Sequence, residues 1–110
     1  MAEIEDFLKL DIRIGTVKHA ELLKGARVPA IKLEIDFGED IGMKQSSAQI
    51  TNRYTHEDMI NKQVVAVVNF PPRRIAGFKS EVLVIGGVQE KGDVVLLSPD
   101  EKLPNGTPIA

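Results

Sequence analysis

The residues of this sequence best suited to binding chemistry lie in the segment 69–80, "NFPPRRIAGFKS". Its basic residues are Arg73, Arg74 and Lys79, and it contains no acidic residue. Arginine presents five donors in a planar fork that suits phosphate, carboxylate and aromatic groups. Pro71 and Pro72 restrict the backbone ahead of the arginines, so that less entropy is lost when a ligand binds. The segment is therefore a candidate binding loop, although a solvated turn would also explain its composition.

Apolar and hydrogen-bonding side chains accompany these charges. They are Asn69, Phe70, Phe78 and Ser80. Phe78 is of a type that stacks on a base or fills an apolar pocket, whereas the alternative is that Ile75 and Phe78 pack into the core. The segment carries +3 in a chain of net charge −2, so the remaining residues carry −5.

A second polar segment, "KQSSAQITNR" (44–53), occupies the position of a strand but contains few core-forming residues. Its candidate ligand contacts are Lys44, Ser46, Ser47, Gln49 and Arg53. These side chains offer donors and acceptors without bulk. The alternative is an ordinary antiparallel strand with its polar side chains turned to water.

The sequence shows no arrangement typical of catalysis. His19 and His56 are far apart and lack metal-ligand spacing, and no serine stands in a nucleophile-elbow setting. The acids of "DFGEDIG" do not follow the calcium-loop pattern, and no glycine-rich phosphate motif is present. Without cysteine, the chain has no thiolate chemistry and no disulfide. We therefore predict a binding protein rather than an enzyme, with no metal and no cofactor.

Short strands must position these residues. Alternating apolar side chains predict strands in 9–17 and 27–38, a polar strand follows at 42–50, and a continuous apolar run predicts a covered strand at 63–70. Two further runs, 81–88 and 93–99, predict a hairpin. Helical turns are predicted at 3–9 and after Thr55, a residue type that caps helices.

This order predicts an all-β fold with little helix: a five-stranded Greek-key OB-fold barrel with extra C-terminal strands and a short N-terminal helix. A sandwich or an SH3-like barrel would also fit the pattern. The 110 residues form one domain, 1–110. No signal peptide and no membrane-spanning run are recognisable, so we expect a soluble, cytoplasmic protein.

Several segments resemble the OB-fold tRNA-binding domain family, found as an appendage of methionyl- and phenylalanyl-tRNA synthetases and as free-standing proteins. They are "DIRIGTVKHAE", "NFPPRRIAGFKSEVLVIGG" and "DVVLLSPD" with "PNGTPI". The resemblance runs from about Phe7 to the C-terminus. The segments "RVPAIKLEIDFG" and "KQSSAQIT" are more similar still to the CsaA-type export-related chaperones of this family.

The resemblance implies a symmetric homodimer built by segments outside the barrel. In this chain those are Ile4, Phe7 and Leu8, together with the C-terminal strands and tail. For the CsaA-type branch, the resemblance also implies that unfolded or precursor polypeptides bind without ATP.

The loop departs from the family pattern N-L-x-P-R-K-x-R-G, followed by S-x-G-M. Asn69, Pro72, Arg73, Gly77 and Ser80 match it, and Arg74 stands where lysine is common. Pro71 and Ala76 replace residues that are often basic, and Val82-Leu83 replaces Gly-Met. Fewer phosphate contacts would weaken RNA binding, and the added apolar surface favours peptides.

Three functions follow as hypotheses. The first is a chaperone for unfolded or precursor polypeptides, linked to the export machinery, whose groove lies between the third strand and the segment 69–80. The second is a structure-specific tRNA-binding protein that uses the same face. The third is a dimeric interaction module of another assembly.

Overall fold

A computed structural model describes residues 1–110 and shows a mostly β chain. The helices are α1 (Ile4–Leu8) and α2 (His56–Met59). The strands are β1 (Ile12–Leu22), β2 (Ile31–Asp36), β3 (Met43–Ala48), β4 (Gln63–Val67), β5 (Arg73–Ile75), β6 (Phe78–Ser80), β7 (Leu83–Val84), β8 (Gly86–Glu90) and β9 (Asp93–Leu96). Neither helix is long and apolar enough to cross a membrane.

Burial along the strands follows the side-chain pattern of the sequence. In β2, Ile31, Leu33 and Ile35 are buried, and the charged residues between them are half exposed. This alternation is the period of two that a strand with one covered face requires. In β4, residues 64–67 are all buried, because this strand is covered on both faces.

The barrel strands form one antiparallel sheet in the order β3-β2-β1-β4-β7. Its two edges approach each other where the chain enters β7. There the Glu81 amide donates to the Gln45 carbonyl at 2.8 Å, and the Ser46 hydroxyl donates to the Val82 carbonyl at 2.9 Å. The sheet is therefore a nearly closed five-stranded barrel, and the prediction of an OB-fold is confirmed.

Helix α2 lies between β3 and β4, as predicted for this fold. The Thr55 side chain accepts a hydrogen bond from the Asp58 amide at 3.1 Å and caps the helix. Met59, at the end of the helix, is fully buried in the main core with Phe37 and Leu33. One short helical turn therefore places a large apolar side chain in the barrel interior.

The predicted strand 81–88 is divided in the structure into β7 and β8. At the division, the Ile85 amide donates to the Val65 carbonyl at 3.0 Å, and the Ile85 carbonyl accepts from Leu97 at 3.2 Å. The chain therefore leaves the barrel strand β4 and joins β9 at this residue. The β8–β9 hairpin is the predicted extra C-terminal element.

The C-terminal tail pairs with the first half of β1. Gly106 donates to the Ile14 carbonyl at 2.7 Å, Ile14 donates to the Thr107 carbonyl at 2.9 Å, and the tail continues with a bond from Ile109 to Ile12 at 2.9 Å. Since β2 pairs only with the second half of β1, the tail occupies the edge that β2 leaves free.

Gly15 provides a test of barrel packing. A methyl group on this β1 residue would lie 2.6 Å from Cγ2 of Ile35 and 2.7 Å from the Phe37 ring. We expect Gly15→Ala to lower the free energy of unfolding by about 1–3 kcal/mol through overpacking. Gly87→Ala is the matched control, because its methyl group would have no neighbour closer than 3.9 Å. Urea unfolding curves of equal midpoint for the two variants would contradict this account of the core.

Candidate ligand-binding face

Half of the segment 69–80 is regular structure, not the loop that the sequence predicted. Strands β5 and β6 form a hairpin whose tip is Ala76-Gly77. Both tip residues have positive φ, 51° and 77°. Two left-handed residues make the tight turn whose twist matches that of the flanking strands. The hairpin projects from the barrel between β4 and β7.

The register of this hairpin separates its two arginines. Arg73 lies opposite Ser80, and Arg74 lies opposite Lys79. Successive side chains of a strand point to opposite faces. Arg73 and Ser80 therefore share the face that also carries the buried Phe78, and we call this the inner face. Arg74 and Lys79 share the other, the outer face.

A groove of about 180 Å³ lies on the inner face, between the hairpin and β3. Its walls include Ser47, Phe70, Pro71, Arg73, Ser80 and Leu83. Phe70 and Leu83 are 43% and 47% exposed, and Arg73 takes part in no ion pair. We call this the Arg73 groove. It offers apolar walls beside a guanidinium that forms no ion pair, and Glu81 is the one acid in its lining. The exposed Pro72 follows Pro71 at its rim.

Two predicted ligand contacts are buried, which corrects the sequence analysis. Phe78 is only 8% exposed, and the Lys32 ammonium lies 5.2 Å from the centre of its ring. Ser46 is 1% exposed, and its hydroxyl is bonded to the Val82 carbonyl. Neither side chain is accessible to a ligand, so Phe70 is the aromatic residue that the hairpin presents.

Asn69 is also a structural residue, contrary to the prediction. Its side-chain Nδ2 donates to the Lys9 carbonyl at 2.8 Å, and its Oδ1 accepts from the Asp11 amide at 2.8 Å. The neighbouring Val68 amide donates to the Asp11 carbonyl at 2.8 Å. Asn69 therefore fastens the N-terminal segment to the base of the hairpin, and both ends of its amide already have a partner in the chain.

The predicted contact Arg53 is bound within the chain. Its Nε and Nη2 donate to the two carboxylate oxygens of Asp93 at 2.5 and 3.1 Å. These bonds raise the pKa of Arg53 and lower that of Asp93. Arg53 therefore holds the β8–β9 hairpin to the segment after β3. Lys44 has a weaker internal partner, Glu81, at 4.0 Å.

The loop between β1 and β2 completes the face and was missed. Residues 23–30 contain Lys24 and Arg27 and no acid. A methyl group on Gly25 would lie 3.9 Å from Cβ of Ala76, so the tip of this loop meets the tip of the hairpin. Two features could have identified this loop from the sequence: its acid-free composition and the general use of this loop for binding in OB-folds.

Grooves border the hairpin tip on both sides. One, of about 410 Å³, is lined by Lys24, Lys32 and Gly77. The other, of about 370 Å³, is lined by Arg27 and by the predicted contact Gln49, which is exposed. From the sequence-based set, the structure places Ser47, Arg73 and Ser80 in the Arg73 groove and Gln49 in the groove beside Arg27. Arg74 and Lys79 lie on the outer face of the hairpin.

The N-terminal residues predicted for self-association lie on the surface. Ile4, Phe7 and Leu8 are all exposed, and no residue of α1 is buried against its own chain. The helix therefore presents an apolar surface to its surroundings.

The chain is similar to a known protein family and to solved structures. The family described as "Putative tRNA binding domain" matches residues 12–108. A crystal structure titled chaperone CsaA from Bacillus anthracis is 73% identical, with 100% of this chain and 99% of that chain covered and a TM-score of 0.95. A CsaA chaperone structure from Picrophilus torridus is 51% identical, with full coverage of both chains and a TM-score of 0.93.

The chain belongs to the tRNA-binding domain family. The methionine–tRNA ligase of Methanococcoides burtonii is 36% identical over 96% of this chain. The chain spans only 15% of the length of that ligase. The family domain therefore occurs both in proteins titled as chaperones and as a part of aminoacyl-tRNA synthetases.

The Arg53–Asp93 pair predicts an effect of pH on stability. Because the folded-state pKa of Asp93 is lowered, its contribution is present above the ordinary value of 3.8 and is lost as pH falls through the folded value. We expect the free energy of unfolding of Asp93→Asn to fall less steeply than that of the parent between about pH 5 and pH 2. Urea unfolding at a series of pH values measures this, and parallel curves would contradict it.

Proposed function

We propose that this protein is an ATP-independent chaperone that binds unfolded or precursor polypeptides in the Arg73 groove. In this proposal it acts in the cytoplasm, is not an enzyme and holds clients for the export machinery. The link to export has no structural argument of its own and follows the resemblance to CsaA-type chaperones.

The observation that carries this proposal is an apolar groove beside Arg73, which forms no ion pair although Glu81 lines the same groove. Phe70 and Leu83 supply apolar area that water covers in the free chain. The Arg73 fork can donate to main-chain carbonyls or carboxylates of an extended segment. Ser47 and Ser80 line the same groove, and the Ser47 amide donates to the Ser80 hydroxyl at 3.0 Å. Unfolded chains offer both the apolar side chains and the open carbonyls that such a groove accepts.

The comparisons support the same proposal. The 73% identical structure and the 51% identical structure are both titled CsaA chaperones, and each alignment covers the whole of this chain. Neither title names a client, so the class of client is inferred from the groove and from the resemblance to CsaA-type chaperones.

Self-association forms part of the proposal. Ile4 and Leu8 of α1 are 66% and 70% exposed and Phe7 is 36% exposed, and a second copy would cover this apolar area. A dimer would carry two Arg73 grooves, and a long unfolded client that engages both would gain avidity.

A second candidate function is tRNA binding. The family match over residues 12–108 and the synthetase relatives favour it. The acid-free segments 23–30 and 69–80, whose tips meet, together contribute Lys24, Arg27, Arg73, Arg74 and Lys79. Such a local excess of cations attracts phosphates even on a chain that is acidic overall.

The groove is tested with Phe70→Ser. We expect about tenfold weaker binding of a labelled, permanently unfolded polypeptide, because an exposed aromatic contact is removed from the centre of the site. Ile60→Ser is the matched control, since Ile60 is 40% exposed and lies outside the groove. Fluorescence anisotropy, with and without ATP, measures the affinity. Equal affinities of the two variants, or no binding by the parent protein, would refute the chaperone proposal.

The contact between copies is tested with Phe7→Asp. We expect this variant to sediment as a monomer at concentrations where the parent is a dimer, because a buried unpaired carboxylate is costly. Ile60→Asp, at another exposed apolar residue, should leave the dimer intact. A Phe7→Asp variant that remains fully dimeric in analytical ultracentrifugation would exclude α1 from the contact.

A further inference from the structure

One asparagine of the chain is followed by glycine, and this pair, Asn105-Gly106, lies in the C-terminal tail (residues 98–110). In an Asn-Gly pair the backbone nitrogen of the glycine can attack the side-chain carbonyl carbon of the asparagine, because glycine has no Cβ to hinder the approach. The pair is therefore the place in this chain where deamidation by the chain's own backbone is sterically easiest. It lies outside the Arg73 groove and outside the β5–β6 hairpin.

In the folded chain, hydrogen bonds hold both of the groups that would react. The Gly106 amide, which would be the nucleophile, donates to the Ile14 carbonyl at 2.7 Å. The Oδ1 atom of Asn105, on the carbon that would be attacked, accepts from the Thr16 hydroxyl at 2.6 Å. The Gly106 carbonyl also accepts from Nη1 of Arg13 at 2.9 Å. Ring closure therefore requires that these bonds break.

The backbone around the pair is also packed too closely for rotation. Gly106 has a φ of 90°, and a methyl group on it would collide with the Phe37 carbonyl oxygen. A methyl group on Gly38 would lie 2.6 Å from the Asn105 carbonyl oxygen. In contrast, Nδ2 of Asn105 donates to no atom of the chain, and it is open to solvent because the chain has no buried side-chain nitrogen without a partner. The leaving group is free, whereas the nucleophile is not.

We propose that Asn105 is a deamidation site that is protected while the tail pairs with β1 and reacts when the tail detaches. In the detached tail, the Gly106 nitrogen loses its proton and forms a bond to Cγ of Asn105. The bond from Cγ to Nδ2 breaks, and Nδ2 leaves as ammonia with that proton. Water then opens the cyclic imide at one or the other carbonyl, which gives aspartate or isoaspartate. This inference depends on neither candidate function.

The tail is attached weakly enough to detach without unfolding of the barrel. Three backbone hydrogen bonds join it to Ile12 and Ile14, and none of the residues 98–110 is buried. Pro104 and Pro108 have no amide hydrogen to donate. Segments with few buried contacts open at a lower free energy than the whole domain unfolds. The rate of deamidation should therefore follow the population of the detached tail.

The two products have different consequences for the tail. The aspartate product keeps a carboxylate oxygen that can accept from the Thr16 hydroxyl, so the tail can pair again. In the isoaspartate product the main chain runs through the side-chain carbons, which lengthens the backbone before Gly106. Gly106 and Thr107, which both bond to Ile14, then lose their register with β1. Isoaspartate therefore keeps the tail detached after a single opening.

The test measures deamidation at residue 105 by peptide mapping and mass spectrometry in the full chain. Thr16→Val removes the bond to Asn105, and Arg13→Gln removes the bond to Gly106. Thr55→Ala is the matched control, because it destabilises the domain at the cap of α2, outside the tail. We expect the folded parent to react at least about tenfold more slowly than the parent in urea, and the two tail variants about fivefold faster than the folded parent. Thr55→Ala should react at the rate of the parent.

Two results would overturn the protection by the tail. The first is an equal rate in the folded and in the urea-unfolded parent. The second is acceleration of all three variants in proportion to their loss of unfolding free energy, which would assign the reaction to global unfolding.

The fate of the tail is tested by hydrogen exchange of the Ile14 amide, which donates to the Thr107 carbonyl. After refolding, the isoaspartate fraction should have lost protection of this amide, whereas Asn105→Asp, which reproduces the other product, should retain it. Equal protection in the two samples would show that isoaspartate does not keep the tail detached.

Discussion

The closure of the barrel between β3 and residues 80–82 is the constraint on which the ligand face depends. Four hydrogen bonds make this seam: Ser47 amide to Ser80 hydroxyl at 3.0 Å, Glu81 amide to Gln45 carbonyl at 2.8 Å, Gln45 amide to the Glu81 side chain at 3.1 Å, and Ser46 hydroxyl to Val82 carbonyl at 2.9 Å. Because the seam begins at the last residue of β6, it fixes one end of the hairpin against the barrel. The small side chain of Ser46 is explained by this seam, since its hydroxyl bonds to the facing Val82 carbonyl without keeping the strands apart.

The other end of the hairpin is fixed by Asn69 and the prolines after it. The Asn69 amide bridges Lys9 and Asp11, so the N-terminal segment is attached where the hairpin begins. Pro71 and Pro72 then restrict the path to Arg73. A three-residue strand pair would be marginal by itself. Because the hairpin is attached at both ends, it holds a defined orientation relative to the barrel. Its inner and outer faces therefore present different side chains to the surroundings. The same attachment links the segment that follows α1 to the hairpin that lines the Arg73 groove.

Sequence reasoning recovered the elements whose signal is local. The strict alternation of β2, the apolar run of β4 and the cap at Thr55 each describe one segment, and each was found with its type correct. The hairpin was missed because its turn is Ala-Gly, whereas the strong signal for such a turn is Asn-Gly or Asp-Gly. An alanine with φ of 51° is sterically costly, so nothing in its residue type indicates the turn.

The ligand contacts were harder to predict than the strands, for a related reason. Whether a polar side chain faces a ligand or the chain depends on partners that are distant in sequence. Asn69 and Lys9 are 60 residues apart, Arg53 and Asp93 are 40 apart, and Ser46 and Val82 are 36 apart. The same polar residue types form hydrogen bonds to a ligand and hydrogen bonds within the chain, so residue type alone does not distinguish the two. The sequence-based set included both Ser46 and Ser47 as ligand contacts, and only the closed barrel shows that Ser46 points inward.

The positions at which this chain departs from the family loop pattern fall unevenly on the hairpin. Pro71, which stands where lysine is frequent, lines the Arg73 groove and makes its wall apolar. Leu83, in the Met position of the pattern, keeps a second wall of the same groove apolar. Arg74, where lysine is common, keeps its positive charge on the outer face. Ala76, where a basic residue is often found, removes one charge from the tip of the hairpin. Because strand geometry directs neighbouring residues to opposite sides, the substitution at Pro71 changes the groove and leaves Arg74 on the outer face in place.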